Sequence, residues 1–300
     1  MNLDRLKQEF NSRKKGILGA LASGTDASPK GSVDKQIIHI MELLNSYPGA
    51  VTTSSCSGRV SVFLEGRKQS STTSISKQDH ETDVAAAGGK GGDGRWLFVT
   101  HDHLSDDILQ ETQDDATFLN TIFGGIPSEP AVTQLLREQS SETRYVHLKF
   151  EPMILHILTE TLEIANRLLT CAISSSFRES GIMSPLKNPV VAIRTMGLAF
   201  DAPVGIYDPE KNVIQRFIEP SGLRLLARLT NDRFRENSRR IDSLYKNLLS
   251  AMEAAETPLE SKQTRALRKK AEGIDKGRKI AATRENRVEP EDPLEDGISF

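Results

Sequence analysis

The stretch VTTSSCSGRVSVFL, residues 51–64, gives the clearest indication of how this chain folds, because two apolar runs enclose a polar segment. Residues 51–53 and 59–64 have the β-branched content and the alternation that are typical of strands. Between them lie hydroxyls, one thiol and a glycine, and Arg59 adds a planar fork of donors for a carboxylate or phosphate. The stretch therefore predicts two strands joined by a binding loop, with a solvated turn as the alternative.

Several residues of this loop are candidates for ligand binding. Consecutive small polar residues present backbone N–H groups and short donors to an anion or to the polar head of a ligand. Cys56 is interpreted as a thiol that lines the ligand and not as a nucleophile, since no neighbouring residue is assured as its base. The candidates are Ser54, Ser55, Cys56, Ser57, Gly58 and Arg59.

Composition limits the classes of protein to which the chain can belong. With 300 residues and 37% hydrophobic content, it has room for one large or two small domains, and part of its length is expected to lie outside a core. The two cysteines, Cys56 and Cys171, and the lack of a leader-like apolar segment indicate a reducing compartment, and we expect a cytoplasmic protein. No run of 18 apolar residues is present, so we expect no membrane partner.

The alternation of predicted strands and helices is typical of an α/β protein. We predict a single mixed-sheet domain flanked by helices over residues 30–256, preceded by an N-terminal helix and linker over residues 1–29. Residues 66–94 are rich in Ser, Thr, Gly and Lys with almost no apolar side chains, which predicts a disordered insertion. Residues 257–300 are first basic and then acidic, which predicts a charged disordered tail that can touch RNA.

The spacing of apolar residues predicts the individual elements. The first helix is expected over residues 3–10, with a linker from Gly16 onward, and Ser32 is expected to cap a second helix that extends to Leu44. The step from Glu151 to Pro152 is expected to disturb the ladder between two strands, because proline lacks an N–H group. Further strands are predicted at residues 96–100, 145–150, 153–158, 190–195, 198–204 and 213–217, and further helices at 105–113, 129–140, 159–174 and 222–256.

Glu151 and His156 are the candidate catalytic groups. Glu151 lies where two apolar strands meet, so its carboxylate is either paired with a cation such as Lys149 or Arg194, or it holds a ligand amine or accepts a proton. His156 lies inside an apolar run, where it is either a hydrogen-bonded core histidine or a general base. The residue types alone leave both alternatives open.

Further candidate binding residues lie at the ends of strands and helices. A histidine pair at i and i+2 can ligate a metal, but His101 and His103 have no further Cys or His at short spacing, so we expect no metal. The polar loop after the helix at 159–174 carries an arginine that is placed to bind an anion. The candidates in this group are His101, Phe177, Arg178, Gly181 and Arg194.

Glycine-rich nucleotide-binding fingerprints are not found in this sequence. The run GGKGG at residues 88–92 lacks the spacing of a P-loop and precedes a strand instead of following one. No strand is followed by a GxGxxG turn and a helix. An ordinary Rossmann nucleotide site is therefore not visible in the sequence.

Six blocks occur along this sequence: KGSVD (30–34), TTSSCSGR (52–59), WLFVTH (96–101), LKFEPMILH (148–156), SFRESGI (176–182) and VAIR (191–194). In this order, they resemble the eukaryotic and archaeal wybutosine-synthesis methyltransferase family. Each block is weak alone, but the combination is highly specific, and it covers most of residues 30–203. The sequence departs from the family at Met196, where some relatives have a histidine, and in the long insertions at residues 66–94 and 103–142.

The resemblance implies both a fold and a chemistry. The implied fold is α/β but not the common Rossmann-type methyltransferase fold, in agreement with the missing glycine fingerprint. The implied chemistry is N4-methylation, with S-adenosyl-L-methionine as methyl donor, of the 7-(3-amino-3-carboxypropyl)-4-demethylwyosine base at position 37 of phenylalanine tRNA. The tRNA anticodon loop would be the partner, with other enzymes of the pathway as further partners. The donor and the base each carry a carboxylate, for which Arg59, Arg178 and Arg194 are candidate cations. Trp96 and Phe177 are candidate surfaces for stacking the base.

Two functions of other classes compete with this interpretation. A non-catalytic RNA-binding or scaffold protein of tRNA modification would need a basic surface but not the hydroxyl and thiol segment. A regulator that binds the methyl donor without turnover would need the pocket alone. Binding of the donor and the modification state of the tRNA distinguish these functions from a methyltransferase.

Overall fold

The computed structural model describes residues 3–23, 33–66, 94–110, 114–131, 142–256, 269–270 and 272–274. The chain divides into two compact units, Met1–Met252 and Glu253–Phe300, and the described residues of the second unit are helical. Nearly all of the predicted insertion at 66–94 and of the tail at 257–300 lies outside the described residues. The predicted domain boundaries at residues 29 and 256 stay predictions.

Helices and strands alternate along the first unit. None of the helices among the described residues is long and apolar enough to cross a lipid bilayer. The helices are α1 (Leu3–Ala22), α2 (Ile38–Ser46), α3 (Asp106–Leu109), α4 (Asp115–Ile122), α5 (Leu162–Ser174) and α6 (Pro220–Glu256), with a 3₁₀ helix at Lys35–Ile37. The strands are β1 (Ala50–Leu64), β2 (Arg95–Thr100), β3 (Ser128–Pro130), β4 (Arg144–Thr159), β5 (Gly181–Met183), β6 (Val190–Arg194), β7 (Phe200–Asp208) and β8 (Val213–Arg216).

The strands form one curled mixed sheet, in the order β2-β1-β4-β7-β8-β3. All pairings are antiparallel except that of β3 with β8, and β5 and β6 extend the sheet from the second half of β4. A doubly wound fold would need a mainly parallel sheet with crossover helices. The prediction of a mixed sheet flanked by helices, distinct from the Rossmann type, is confirmed.

β1 and β4 are long continuous strands, and here the prediction was wrong. The polar segment predicted as a loop is part of β1, and it pairs with β4 along almost the whole strand. Pro152 does not interrupt β4, because the neighbour on the other side of β4 changes there. β7 pairs with residues up to Phe150 and β6 pairs from Ile154 onward, so Pro152 lies between the two pairings.

Helix α1 is longer than predicted, since it continues through residues expected to form a linker. Phe10 is fully buried against Val51 and Leu158, and Ile17 and Leu18 pack on the same cluster. Contacts made along successive helical turns outweigh the low helix propensity of Gly16 and Gly19 in this segment.

Three smaller predictions differ from the structure. Ser32 lies outside the described residues, and the residue that precedes the first helical turn is Asp34, in an extended conformation. Of the helix predicted at 105–113, the described residues form the four-residue α3, and residues 111–113 lie outside the described residues. At 129–140, the described residues form the end of β3, and the remainder lies outside the described residues.

Helix α6 contributes to both main hydrophobic cores. Its first half packs on the core between β1, β4 and α4, and its second half packs on the core beneath β4, β6, α2 and α5. The α6 residues in the first core are Leu223, Ala227 and Phe234, and those in the second are Ile241, Leu244, Leu248 and Met252.

The core-facing side of the central strands changes where the two cores meet. On β4, Val146, Leu148 and Phe150 are buried, then Glu151 is exposed, and the alternation resumes one residue out of phase. Opposite this point, Gly58 has a φ of 111°, which residues other than glycine rarely adopt. We call this position, residues 57–59 and 151–153, the β1–β4 kink.

Candidate active site

Three side chains from separate elements converge beside the kink. Nδ1 of His101, just after β2, lies 3.1 Å from Oδ2 of Asp34 and 3.6 Å from Sγ of Cys56. The same Asp34 oxygen accepts a hydrogen bond of 2.8 Å from the backbone N–H of Ser57. Asp34 is only 7% exposed, so its carboxylate is held in a defined position. We call this group the Asp34–Cys56–His101 cluster.

The cluster favours a positively charged imidazole. The hydrogen bond to Asp34, and then that to Cys56, raise the pKa of His101 to about 9, although burial opposes the change. His101 is therefore an imidazolium at neutral pH, with Nδ1–H directed at Asp34 and Cys56. Its Nε2–H is then a charged donor that suits a carboxylate or a phosphate.

The same cluster has the composition of a metal site. One potential ligand atom from each side chain lies within 4.8 Å of the other two. A proton on Nδ1 of His101 would have to leave before that nitrogen bound a metal ion. The absence of a metal from the site stays a prediction.

A second group joins Arg59, Glu151 and Trp96. Nε of Arg59 donates to Oε2 of Glu151 over 2.6 Å, and the guanidinium carbon lies 4.9 Å from the centre of the Trp96 ring. Burial lowers the pKa of Arg59, but the hydrogen bond and the charge of Glu151 outweigh it and raise that pKa. Glu151 is thus paired with a cation, which was one of the two predicted alternatives. The cation is Arg59, and not Lys149 or Arg194 as predicted.

A third group lies further along the same pair of strands. The ring atom Nδ1 of His156 is 2.8 Å from Oγ of Ser54, and the two residues are directly opposite in the β1–β4 register. Burial, and then the positive charge of Arg194, lower the pKa of His156. A neutral His156 at physiological pH follows, as a base requires.

The strand geometry divides the TTSSCSGR segment between two faces of the sheet. Ser54 and Cys56 lie on the face that carries His156 and the cluster. Ser55 donates to Sδ of Met41, whose side chain is in the core, and Ser57 is fully buried. In a strand, only alternate side chains of this segment can contact one ligand, whereas in the predicted loop this limit would not apply.

Two buried asparagines of α6 hold the backbone around the cluster. Asn237 accepts from the N–H of Met153 over 2.9 Å and donates to the carbonyl of Ser57 over 2.7 Å. Asn231 accepts from the N–H of Leu104 and donates to its carbonyl, both over 2.9 Å. The helix thereby fixes the kink on one side and the segment that follows His101 on the other.

The comparison with protein families identifies the chain. The family model described as Methyltransferase TYW3 matches residues 12–250, a span that contains the kink and all three groups. The chain belongs to the methyltransferase TYW3 family. The predicted resemblance is confirmed, and with it the class of enzyme, a methyltransferase.

Relatives from fungi and plants carry names that agree with the family. The tRNA wybutosine-synthesizing protein 3 of Saccharomyces cerevisiae is 36% identical over 283 residues, which cover 90% of this chain and 95% of that protein. The Schizosaccharomyces pombe protein of the same name is 33% identical over 259 residues, which cover 86% and 94%. The tRNA wybutosine-synthesizing protein 2/3/4 of Arabidopsis thaliana is 31% identical and is matched over 21% of its length.

Solved structures show the same fold. The PH1069 protein from Pyrococcus horikoshii superposes with a TM-score of 0.55 at 24% identity, and the match covers 84% of this chain and 99% of that one. A second structure of that protein gives 0.54 at 23% identity. Both support the curled sheet of this TYW3-family chain, and neither bears on its chemistry.

The remaining predicted site residues lie on the other side of β4. Phe177 is fully buried in the second core, so its ring offers no face to a base in this conformation. Arg178 is exposed, and Gly181 begins β5 opposite Ala192. Arg194 is exposed at the end of β6, where Nε donates to the carbonyl of Glu179 over 3.1 Å. Of these residues, Arg194 is the one whose charge acts on His156.

Sequence reasoning missed Asp34 and Asn237. Asp34 lies in one of the blocks that carry the family resemblance, but the sequence prediction gave it no role of its own. The signal that could have found it is a carboxylate next to an apolar helical face, where a buried charge needs a partner. Asn237 is 180 residues from Ser57 along the chain, and no local pattern links the two.

Proposed function

We propose that this methyltransferase uses S-adenosyl-L-methionine to methylate N4 of 7-(3-amino-3-carboxypropyl)-4-demethylwyosine at position 37 of phenylalanine tRNA, in wybutosine biosynthesis. The observation that carries the proposal is the family match over residues 12–250, together with relatives named for wybutosine synthesis across nearly their full length. The three groups at the kink lie within this span, and they supply the cation, the neutral base and the hydroxyls that the reaction needs.

The cations around the kink fit the carboxylates of the two reactants. S-adenosylmethionine supplies an electrophilic methyl group on a positively charged sulfur. The imidazolium of His101 uses Nδ1–H for Asp34, which leaves its Nε2–H for a ligand, and Arg194 donates from Nε to a carbonyl and not to a carboxylate. Arg59, in contrast, is paired with Glu151. We assign His101 and Arg194 to the carboxylates of the donor and of the base, and Arg59 to holding β1 and β4 together at the kink.

His156 is the base that the geometry favours. As N4 forms its bond to the methyl carbon and the carbon–sulfur bond breaks, the proton of N4 must leave to an acceptor. With Nδ1–H donating to Ser54, Nε2 of a neutral His156 carries a free lone pair for that proton. Glu151 is a poorer acceptor, because its carboxylate already accepts the Arg59 hydrogen bond.

The tRNA contacts are proposed from charge alone. The exposed arginines of α6, Arg228, Arg235 and Arg239, and the basic part of the tail would contact the phosphates of the anticodon stem and loop, which makes binding dependent on salt. Half-buried Trp96 lies under the guanidinium of Arg59, so a base would have to displace that cation in order to stack on its outer face. A cytoplasmic location and contacts with other enzymes of the pathway stay expectations.

The function is tested on phenylalanine tRNA from a strain that lacks this protein. We expect the demethylated intermediate to accumulate, as detected by mass spectrometry, and the purified protein with S-adenosylmethionine to convert it in vitro. Complete wybutosine in the deletion strain would refute the proposal. If the intermediate accumulates but the purified protein binds the tRNA without methylating it, the scaffold alternative is correct.

The base is tested by His156→Asn, for which we expect a fall in the single-turnover methylation rate of about a hundredfold at pH 7. In the wild type the rate should stay level across neutral pH and fall in acid, because the pKa of His156 is lowered from 6.5 and only its neutral form accepts a proton. His147→Asn is a matched control on the same strand, since His147 binds Glu65 and Asp201 instead. Equal rates for the two variants would remove His156 from the mechanism.

A further inference from the structure

The carboxamide of Asn237 takes the place of a missing ladder bond between β1 and β4. The neighbouring pairs Cys56 with Ile154 and Gly58 with Pro152 place Ser57 opposite Met153, yet those two residues do not pair. The N–H of Met153 donates to Oδ1 of Asn237 instead, and Nδ2 of Asn237 donates to the carbonyl of Ser57. Asn237 is fully buried, so both hydrogen bonds are shielded from water.

This arrangement leads directly to the cluster. The Ser57 carbonyl is held by Asn237, and the Ser57 N–H donates over 2.8 Å to the same Asp34 oxygen that lies 3.1 Å from His101. A displacement of Ser57 therefore moves the acceptor that keeps His101 charged. Cys56 is adjacent to Ser57 in the chain, so the thiol shifts with it.

Packing leaves little freedom at this point. A Cβ placed on Gly58 would lie 3.1 Å from Nδ2 of Asn237 and 3.1 Å from the carbonyl oxygen of Glu151. Gly58, which has a positive φ, and the inserted carboxamide of Asn237 are thus in close contact between the strands. Asn231, further toward the N-terminus of α6, holds Leu104 by the same pair of bonds.

We propose that Asn237 is a positioning residue for the Asp34–Cys56–His101 cluster, acting through the backbone of Ser57, whose carbonyl it holds and whose N–H binds Asp34. Asn237 contacts no member of the cluster in the hydrogen bonds described here. Asn237 sets the position of the Ser57 backbone. Because the Ser57 N–H binds the Asp34 carboxylate, that position affects the distance between Asp34 and His101. The effect on methylation rests on the proposed function, whereas the effect on His101 does not.

The test compares Asn237→Ala with Asn247→Ala in the full-length protein. Asn247 lies on the same helix and donates over 2.8 Å to Oγ of Ser175, away from the kink. Asn247→Ala therefore measures how the loss of a side-chain amide from this helix changes stability, without a change at the cluster. For Asn237→Ala we expect kcat to fall by about tenfold or more with little change in KM for tRNA. We also expect the pKa of His101, measured by NMR titration, to fall by about one unit or more.

For Asn247→Ala we expect a lower unfolding midpoint with kcat and the His101 titration unchanged. A folded Asn237→Ala variant with wild-type kcat and wild-type His101 titration would overturn the proposal. If that variant does not fold, Asn237→Asp replaces it, because its carboxyl still accepts from Met153 but, when ionised, cannot donate to Ser57. If no variant methylates tRNA and the wild type does not either, the proposed function fails, and the His101 titration alone decides the role of Asn237.

Discussion

Replacing Asp34 by asparagine is expected to lower the single-turnover methylation rate by about a hundredfold or more, because it removes the charge that keeps His101 protonated. The hydrogen bond to Asp34 is the largest cause of the raised His101 pKa, so its loss lowers that pKa and reduces the charged fraction of the imidazole at neutral pH. The cation assigned to a reactant carboxylate is then lost. Asparagine has the same shape and still accepts the Ser57 N–H, so the variant should fold.

Asp114→Asn provides the matched control for that measurement. Asp114 precedes α4 and accepts from the N–H of Thr117 over 2.9 Å, and asparagine can accept the same bond, so the replacement removes a carboxylate charge without touching the cluster. We expect unchanged methylation and at most a small loss of stability. A folded Asp34→Asn variant with the rate of this control would exclude the cluster from catalysis.

The free energy of unfolding is expected to decrease by about 2 kcal/mol as pH rises from about 6 to 10, after allowance for solvent screening of partly exposed groups. The pKa of His101 is raised from 6.5 to about 9 in the folded protein, so the stabilisation is complete below pH 6.5 and is lost as pH rises through about 9. Urea unfolding at a series of pH values, compared with His101→Asn, isolates this contribution because other groups titrate in both proteins.

A second variant separates the two causes of the raised pKa. Asp34 contributes more than Cys56 to the shift, so Cys56→Ser should reduce the pH dependence without removing it. If wild type and His101→Asn lose stability in parallel between pH 6.5 and 9, the imidazolium does not stabilise the fold.

Most elements were predictable from sequence because their residues alternate or repeat at a regular spacing. Strands β2, β6, β7 and β8 and helix α6 lie within a few residues of their predicted positions. Segments whose structure depends on distant partners were not predictable. Residues 54–58 have the composition of a loop, yet β4 pairs with them and makes them a strand.

The site was predictable in content but not in arrangement. Cys56, Arg59, His101, Glu151 and His156 were all named from residue types and from the family resemblance. Their grouping was not, because it depends on which side of the sheet each side chain faces and on the shift in alternation at Gly58. Lys149 and Arg194 were offered as partners of Glu151, but Arg59 occupies that position through the register of β1 with β4.

Helix α6 has a consequence for how the first unit unfolds. The two hydrophobic cores share this helix and the two central strands, so neither core can lose its structure while the other keeps all of its contacts. Local opening at the kink would break the continuity of both cores together. The described residues from α2 to α6 should therefore behave as one cooperative folding unit, in which opening of the kink and global unfolding are coupled.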